Sequence, residues 1–321
     1  MPDASATLPF YFDCDTGIDD SLALGYLLAS PTVNLVGIGT VSGNISAEQS
    51  ARNTLDLLAL AGRSEVPVAL GEHDFQTVPF AGGATEVHGD NGIGGVELPR
   101  ATAVVVAESA AEMIVRLAHE YAGELRMIAV GPLTNLAVAL RLDPELPTLI
   151  KELTVMGGAA LVPGNVSAVA EANIWNDPEA AAEVFAANWP ITMVGLDVTM
   201  ASIFEEPHRN ALLSSGRPVG VALGQMLDVY FNFYLTVFGR RVSALHDPLA
   251  VAIAVGDVTL RSAPIVNVDI DTTQGPGRGQ TVVDLRGRYL GYPAQQGAHT
   301  RVPLLIEGDF AALLQERLLT L

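Results

Sequence analysis

The amino-acid sequence predicts an α/β protein in which an open, mostly parallel sheet is flanked on both faces by helices. Short apolar runs alternate with Ala- and Leu-rich stretches of helical length, the pattern of parallel strands joined by helices. Apolar residues make up 49% of the 321 residues, which is enough for a large buried core and excludes a disordered chain. No Pro- or Ser-rich linker and no internal repeat interrupts the chain, so we expect a single domain over residues 1–321.

The predicted elements follow this alternation. Strands are expected at 9–13, 34–41, 66–71, 124–130, 151–156 and 190–196. Helices are expected at 21–29, 47–61, 108–121, 135–142 and 177–187, and later at 219–238 and 249–255. A β-rich segment is expected at 259–284, with a Gly-rich turn at 274–279. No Lys-Ser/Thr pair opens a helix behind this turn, so it is predicted to be a hairpin or surface loop rather than a phosphate-binding loop.

Charge and composition exclude several classes of partner. The net charge is −19 and Lys151 is the only lysine, so the surface repels phosphate backbones and no nucleic-acid partner is expected. No uninterrupted apolar run reaches the roughly 18–20 residues of a membrane span. Residues 1–7 lack the basic start and apolar segment of a signal peptide, so we expect a cytoplasmic protein. The single cysteine, Cys14, has acidic neighbours and is predicted to be a core residue.

Four aspartates are concentrated where the first predicted strand ends. Asp13, Asp15, Asp19 and Asp20 fall within eight residues, with Gly17 between them. Carboxylates this close repel one another, and a divalent cation with a preference for oxygen ligands relieves that repulsion. A helix N-terminus rich in acids explains Asp19 and Asp20, but not the other two. The cluster therefore predicts a metal or catalytic site.

Polar residues also follow the other predicted strands, at 42–44, 131–135, 157–158 and Asp197. Ligands of open α/β sheets bind at the carboxyl ends of the strands. The segment with Asn165, Glu171 and Asn173 suits several hydroxyl groups, although an ordinary Asn-rich loop has the same composition.

Three further segments each have two interpretations. His246-Asp247-Pro248 is either a plain helix start or a distant carboxylate for a metal beside a proton donor. The Gly-rich segment 88–95, which begins with His88, is either a lid over a substrate or a surface loop. Tyr230 and Tyr234 lie one helical turn apart, and they either pack in the core or stack on a planar ring.

Together these segments resemble the nucleoside hydrolases over most of the chain. The Asp-x-Asp-x-Gly-x-Asp-Asp signature of that family is matched by the four aspartates and Gly17. The later segments match in the family's order and with similar spacing: Asn44, 131–135, 156–158, Asn165, 171–173 and 246–247. Histidine at position 246 is typical of the inosine–uridine and pyrimidine enzymes. The resemblance implies the nucleoside hydrolase fold, with a Rossmann-like sheet.

The resemblance also implies a reaction, the hydrolysis of ribonucleosides to ribose and free base, and a calcium (Ca²⁺) cofactor. The Ca²⁺ ligands would be Asp15, Asp20, Asp247 and the carbonyl group of Val130, with Asp15 as the general base toward the activated water. Family members are usually homodimers or homotetramers in nucleoside salvage, so the resemblance implies a homo-oligomer, either a homodimer or a homotetramer.

Further site roles follow from the same resemblance. Asp19, Asn44 and Asn173 would bind the 2′- and 3′-hydroxyls, and Asn165 and Glu171 the 5′-hydroxyl. Met156 would lie beneath the sugar, and His246 would be the acid for the leaving base. His88, Tyr230 and Tyr234 would also contact substrate, while Asp13 would support the aspartates from behind. Ala172 replaces an aromatic residue found in some members, which leaves a wider pocket, and the tyrosines favour inosine and uridine over strict pyrimidine specificity.

Two alternatives compete with this hypothesis. Asp13-Cys14-Asp15-Thr16 also resembles the signature of haloacid-dehalogenase-like phosphatases. Those enzymes need a lysine at the site, and Lys151 is predicted at the start of a strand, the wrong end. The other alternative is a non-catalytic protein that binds ribose or a nucleoside.

Overall fold

An eight-stranded sheet forms the centre of the computed structural model, which describes residues 7–321. Strand β1 (Leu8–Cys14) lies between β2 (Val33–Thr40) and β4 (Arg126–Ala129) and is parallel to both. The sheet continues to β3 (Val68–Leu70) on one side, and to β5 (Glu152–Met156) and β6 (Ile191–Val194) on the other. The prediction of an open, mostly parallel sheet is confirmed.

Shorter strands lie at the far edge of this sheet and in three separate pairs. Next to β6 comes β13 (Thr300–Arg301), parallel to it, and then the antiparallel β10 (Ile265–Val266). The pairs are β7 (Ile203–Glu205) with β8 (Val242–Ala244), β9 (Leu260–Ser262) with β14 (Leu305–Ile306), and β11 (Val268–Ile270) with β12 (Thr281–Val283). The Gly-rich turn at 274–279 joins β11 to the antiparallel β12, so the predicted hairpin is confirmed.

The helices account for most of the remaining chain. In order they are α1 (Ile18–Ala29), α2 (Ala47–Leu60), α3 (Thr85–His88), α4 (Ala110–Glu120), α5 (Thr134–Leu142), α6 (Leu146–Leu149), α7 (Ala172–Asn176), α8 (Pro178–Ala186), α9 (Leu196–Thr199), α10 (Glu206–Leu213), α11 (Pro218–Phe238), α12 (Asp247–Ala254) and α13 (Phe310–Leu318). A 3₁₀ helix covers Arg288–Leu290. Every helix predicted from the sequence is present, with ends that differ by three residues or fewer.

Buried side chains cover both faces of the sheet. Phe10 and Phe12 belong to one hydrophobic cluster and Tyr11 to the other, because successive residues of a strand point to opposite faces. Among residues 7–321, α11 alone is long and apolar enough to match a membrane span by length and composition. Its inward residues, Leu223, Leu227 and Phe231 among them, are buried in the first cluster, as in a core helix.

One local prediction differs from the structure. The strand predicted at 190–196 ends at Val194, and Asp197 lies in α9 rather than at a strand end. The Leu196 N–H donates to the carbonyl oxygen of Gly158, and this contact turns the chain away from the sheet. In the segment 88–95, His88 ends α3 and turns follow it, with both His88 and Ile93 buried.

Candidate active site

Polar side chains meet at the carboxyl edge of the central strands, as the sequence predicts. Asp13 and Asp15 come from the end of β1, Asn44 follows β2, Asn135 follows β4, and Met156 ends β5. The carboxyl ends of neighbouring parallel strands share one edge of a sheet. Residues far apart in the chain therefore form one site.

The aspartate segment folds into a tight turn that its own carboxylates stabilise. Oδ2 of Asp20 accepts a hydrogen bond from the Gly17 N–H (2.8 Å), and Oδ1 accepts one from the Asp15 N–H (3.1 Å). Asn44 links the two acids, because its N–H donates to Oδ2 of Asp15 (2.6 Å) and its Nδ2 donates to Oδ2 of Asp20 (3.1 Å). Gly43 is required here, since a Cβ at that position would lie 2.1 Å from Oδ2 of Asp15.

The carboxylates are buried and only partly satisfied by hydrogen bonds. Asp19, Asp20 and Asp247 each offer an oxygen, and these oxygens lie within 4.8 Å of one another. Within residues 7–321, Oδ1 of Asp15 and Oδ1 of Asp19 are buried without a hydrogen-bond partner. Unpartnered buried oxygens are costly, and a hard cation is the usual partner of such a donor set. The residues present therefore fit a divalent metal.

Burial and mutual repulsion raise the pKa values of these acids. Desolvation, followed by the charge of Asp19, raises the pKa of Asp20 to about 7. The pKa of Asp15 is raised well above its usual value by desolvation and then by Asp20. The same causes, with Asp19 the first charged neighbour, raise the pKa of Asp247. A bound cation would favour the charged forms of all three.

Asp13 interacts with neutral groups. Nδ2 of Asn135 donates to both of its oxygens, at 2.8 and 2.9 Å, and the Tyr11 hydroxyl donates over 3.4 Å. Burial nevertheless raises the pKa of Asp13 to about 7. Asn135 lies in one of the polar segments that follow a strand, but no motif in the sequence gives it a role of its own.

The segment around α7 forms another side of the candidate site. Glu171 caps the helix and accepts from the N–H groups of Asn173 (2.9 Å), Ile174 (3.2 Å) and Gly158 (3.0 Å). Burial raises the pKa of Glu171 to about 7. Nδ2 of Asn173 donates to the carbonyl oxygens of Val130 (2.7 Å) and Met156 (3.1 Å).

Asn165 is the predicted site residue that lies furthest toward solvent. Its side chain is exposed, and its Oδ1 accepts from the Ala172 N–H over 3.0 Å. Asn165 therefore lies at the rim of the α7 segment.

The aromatic residues of α11 join the site through their hydroxyl groups. Tyr230 donates to Oδ2 of Asp19 over 2.9 Å. The Tyr234 hydroxyl lies 2.5 Å from Nε2 of His246, whose Nδ1 lies 2.8 Å from Oγ1 of Thr199. Sequence reasoning missed Thr199, because a single threonine in a short helix carries no motif.

His88 lies beside Tyr230, on the side of the site formed by α11. Its Nδ1 accepts from the Ile18 N–H over 3.1 Å, and its ring centroid is 5.5 Å from that of Tyr230. Burial lowers the pKa of both His88 and His246.

Lys151, in contrast, is exposed and immediately precedes β5. It therefore lies at the amino end of the strand, and the aspartates lie at the carboxyl edge. A phosphatase mechanism that needs a lysine beside these acids has no support here.

Comparisons with known proteins agree with this geometry. The family model described as inosine-uridine preferring nucleoside hydrolase matches residues 10–314. The chain is 39% identical to a probable uridine nucleosidase 2 of Arabidopsis thaliana, over 75% of this chain and 76% of that protein. It is 34% identical to the inosine-uridine preferring nucleoside hydrolase of Leishmania major, over 92% of each.

A solved structure is also similar to this chain in both fold and sequence. The purine-preferring ribonucleoside hydrolase from Gardnerella vaginalis superimposes with a TM-score of 0.88, at 35% identity over 97% of each chain. With acids and amides at the strand ends, this fold defines an N-ribosyl hydrolase, an enzyme that cleaves the N-glycosidic bond of ribonucleosides. The chain belongs to the family of inosine-uridine preferring nucleoside hydrolases.

Proposed function

We propose that this enzyme hydrolyses uridine and inosine to ribose and free base, with Asp15 as the general base and Ca²⁺ as cofactor. The observation that carries the proposal is the unpartnered Oδ1 of Asp15, buried beside a group of carboxylates that fits a cation. Asp15, Asp20, Asp247 and the Val130 carbonyl group are the proposed Ca²⁺ ligands. Asp19 belongs to the same close group of carboxylates as Asp20 and Asp247. A sugar hydroxyl bound to the cation would therefore lie near enough to contact Asp19 as well.

When bound, Ca²⁺ supplies electrostatic stabilisation of a nucleophilic water and of the sugar hydroxyls. The protein's part is to orient the base. The Asn44 N–H fixes Oδ2 of Asp15, which leaves Oδ1 to accept a proton from water. An oxocarbenium-like ribose carries positive charge, and the buried acids around it stabilise that charge.

Ribose binding is proposed to rest on Asp19, Asn44 and Asn173. Tyr230 holds one oxygen of Asp19 and leaves the other. The Asn173 amide nitrogen is used by two carbonyl oxygens, so its side-chain oxygen remains to accept from a hydroxyl. Glu171 and Asn165 are the proposed partners of the 5′-hydroxyl, and Met156 is proposed to pack beneath the sugar.

Departure of the base is proposed to depend on His246, with Tyr234 hydrogen-bonded to it. His88 and Tyr230 are proposed to line the same end of the pocket. The base preference is proposed to be broad, since relatives named for uridine, for inosine and uridine, and for purines all resemble this chain. The small side chain of Ala172 in the α7 segment is consistent with such breadth.

The remaining features of the proposal concern the whole molecule. We propose that residues 1–321 form one domain, that the enzyme works in the cytoplasm in nucleoside salvage, and that it is a homodimer or homotetramer. The acidic chain, with a net charge of −19, agrees with an uncharged nucleoside as the substrate. Light scattering on a sizing column measures the oligomeric state.

Ribose release from uridine, inosine and cytidine tests the proposal, before and after chelation and after Ca²⁺ is restored. Release is expected from uridine and inosine, with loss on chelation and recovery with Ca²⁺. Full activity after exhaustive chelation would contradict the role of the cation. Phosphate-ester hydrolysis without ribose release would support the phosphatase alternative, and nucleoside binding without turnover would support the binding protein.

A further inference from the structure

Thr199 ends α9, and the fold brings it next to His246. The pairing of β7 with β8 places Ile203 opposite Ala244, and the Leu245 N–H donates to the Ser202 carbonyl oxygen over 2.9 Å. The residues that directly follow Thr199 therefore lie beside those that precede His246.

Both ring nitrogens of His246 have a hydroxyl partner, Thr199 at Nδ1 (2.8 Å) and Tyr234 at Nε2 (2.5 Å). Thr199 has no exposed surface, and its hydroxyl has no other hydrogen-bond partner among residues 7–321. A buried hydroxyl group without a hydrogen-bond partner is unfavourable. The contact with Nδ1 therefore holds the Thr199 hydroxyl and the His246 ring together.

An acid for the leaving base releases its proton from the ring nitrogen that faces the base. Nδ1 of His246 contacts the Thr199 hydroxyl and Nε2 contacts Tyr234, so Nε2 is the nitrogen on the pocket side. A protonated ring that releases its Nε2 proton keeps the proton on Nδ1, and Nδ1–H then donates to the Thr199 oxygen. The Thr199 hydroxyl therefore holds the ring before and after this transfer.

We propose that Thr199 is a positioning residue, whose hydrogen bond at Nδ1 holds the ring of His246 so that Nε2 and Tyr234 are directed toward the leaving nucleobase. Thr199 acts through His246 and does not touch the substrate. The inference rests on the proposed role of His246 as the acid for the leaving base.

Thr199→Val tests it, because valine keeps the shape and removes the hydroxyl. Two substrates are compared, uridine and 4-nitrophenyl β-D-ribofuranoside, whose nitrophenolate departs without being protonated. The kcat for uridine is expected to fall about tenfold or more, and that for the nitrophenyl riboside less than about twofold. Thr199→Ser, which keeps the hydroxyl, is expected to restore most of the uridine rate. Ser202→Ala is the matched control, since it removes a buried hydroxyl of the same segment that bonds only to the Val198 carbonyl oxygen.

An equal loss for both substrates would show a merely structural role and overturn the proposal, as would an unchanged uridine rate. If Thr199→Val does not fold, Thr199→Ala is compared with Thr199→Ser on the same two substrates. A loss confined to uridine that serine restores supports the proposal, and an equal loss for both substrates overturns it. His246→Gln separates the two hypotheses. An unchanged uridine rate in that variant would remove the role of His246 itself, whatever Thr199 does.

Discussion

The Tyr230 hydroxyl donates to Oδ2 of Asp19 over 2.9 Å, although the two residues are 211 positions apart. The hydrogen bond joins α11 to the first turn of α1. It leaves Oδ1 of Asp19 as a buried oxygen without a partner in residues 7–321. One oxygen of the carboxylate is thus fixed by the protein and the other is free for a ligand.

Tyr230→Phe removes this donor. A hydrogen bond to a charged group contributes about 1.5–3 kcal/mol, so the KM for uridine is expected to rise about tenfold or more, with a smaller change in kcat. Steady-state kinetics provide the measurement. Tyr26→Phe is the matched control, because Tyr26 donates to Asp257 near the other end of α1. An unchanged KM in Tyr230→Phe would show that Asp19 needs no such support.

Calcium is expected to stabilise the folded enzyme. A ligand at about 100 times its dissociation constant stabilises a protein that binds it only when folded by about 2.7 kcal/mol. Melting curves with and without Ca²⁺ should therefore differ by several degrees, and Asp247→Asn should abolish most of the difference. Asp197→Asn is the control, because Asp197 bonds to the N–H groups of Ala160 and Leu161 away from the cluster. Equal Ca²⁺ shifts in both variants would exclude Asp247 from the metal site.

Glu171 should make stability depend on pH. Burial raises the pKa of this acid to about 7, so the folded state binds its proton more tightly than the unfolded state does. The resulting stabilisation is complete below the unfolded pKa and is lost as the pH rises through 7. The free energy of unfolding of the native enzyme should therefore fall relative to Glu171→Gln between about pH 5 and pH 8, by about 1–3 kcal/mol. Urea unfolding in constant Ca²⁺ measures both proteins, and parallel pH curves would contradict the raised pKa.

The pair of Asp13 and Asn135 should be energetically coupled. Asn135→Ala removes two hydrogen bonds from a buried acid and is expected to cost about 2–4 kcal/mol of stability. In a double-mutant cycle with Asp13→Ala, the two losses should not add, because either change alone breaks the same contact. Simple additivity in urea unfolding would mean that Asn135 acts mainly through its other bonds, to Thr40 and Glu72.

The main sheet and much of the site follow from local sequence patterns. Each main strand is an apolar run, and Asp13, Asp15, Asn44 and Met156 lie at or just after strand ends. Parallel packing alone brings such residues together. The end of β6 was mispredicted, because Leu196 looks like strand and is turned away by a hydrogen bond to Gly158.

Contacts between elements that are far apart in the chain could not be predicted from the sequence. Tyr230 and Tyr234 have the spacing of a core stripe, and nothing in that spacing shows that their hydroxyls reach Asp19 and His246. Thr199 has no motif at all, and its contact depends on how β7 pairs with β8. Such hydrogen bonds follow from tertiary packing rather than from residue order.

The rate of ribose release from uridine by Asp15→Asn, with saturating Ca²⁺, tests the central claim most directly. Asparagine preserves size and accepts no proton from water, so the rate should fall by about a thousandfold or more. A melting curve with Ca²⁺ checks that the variant is folded. A folded Asp15→Asn that releases ribose within about tenfold of the native rate would contradict the assignment of Asp15 as the general base.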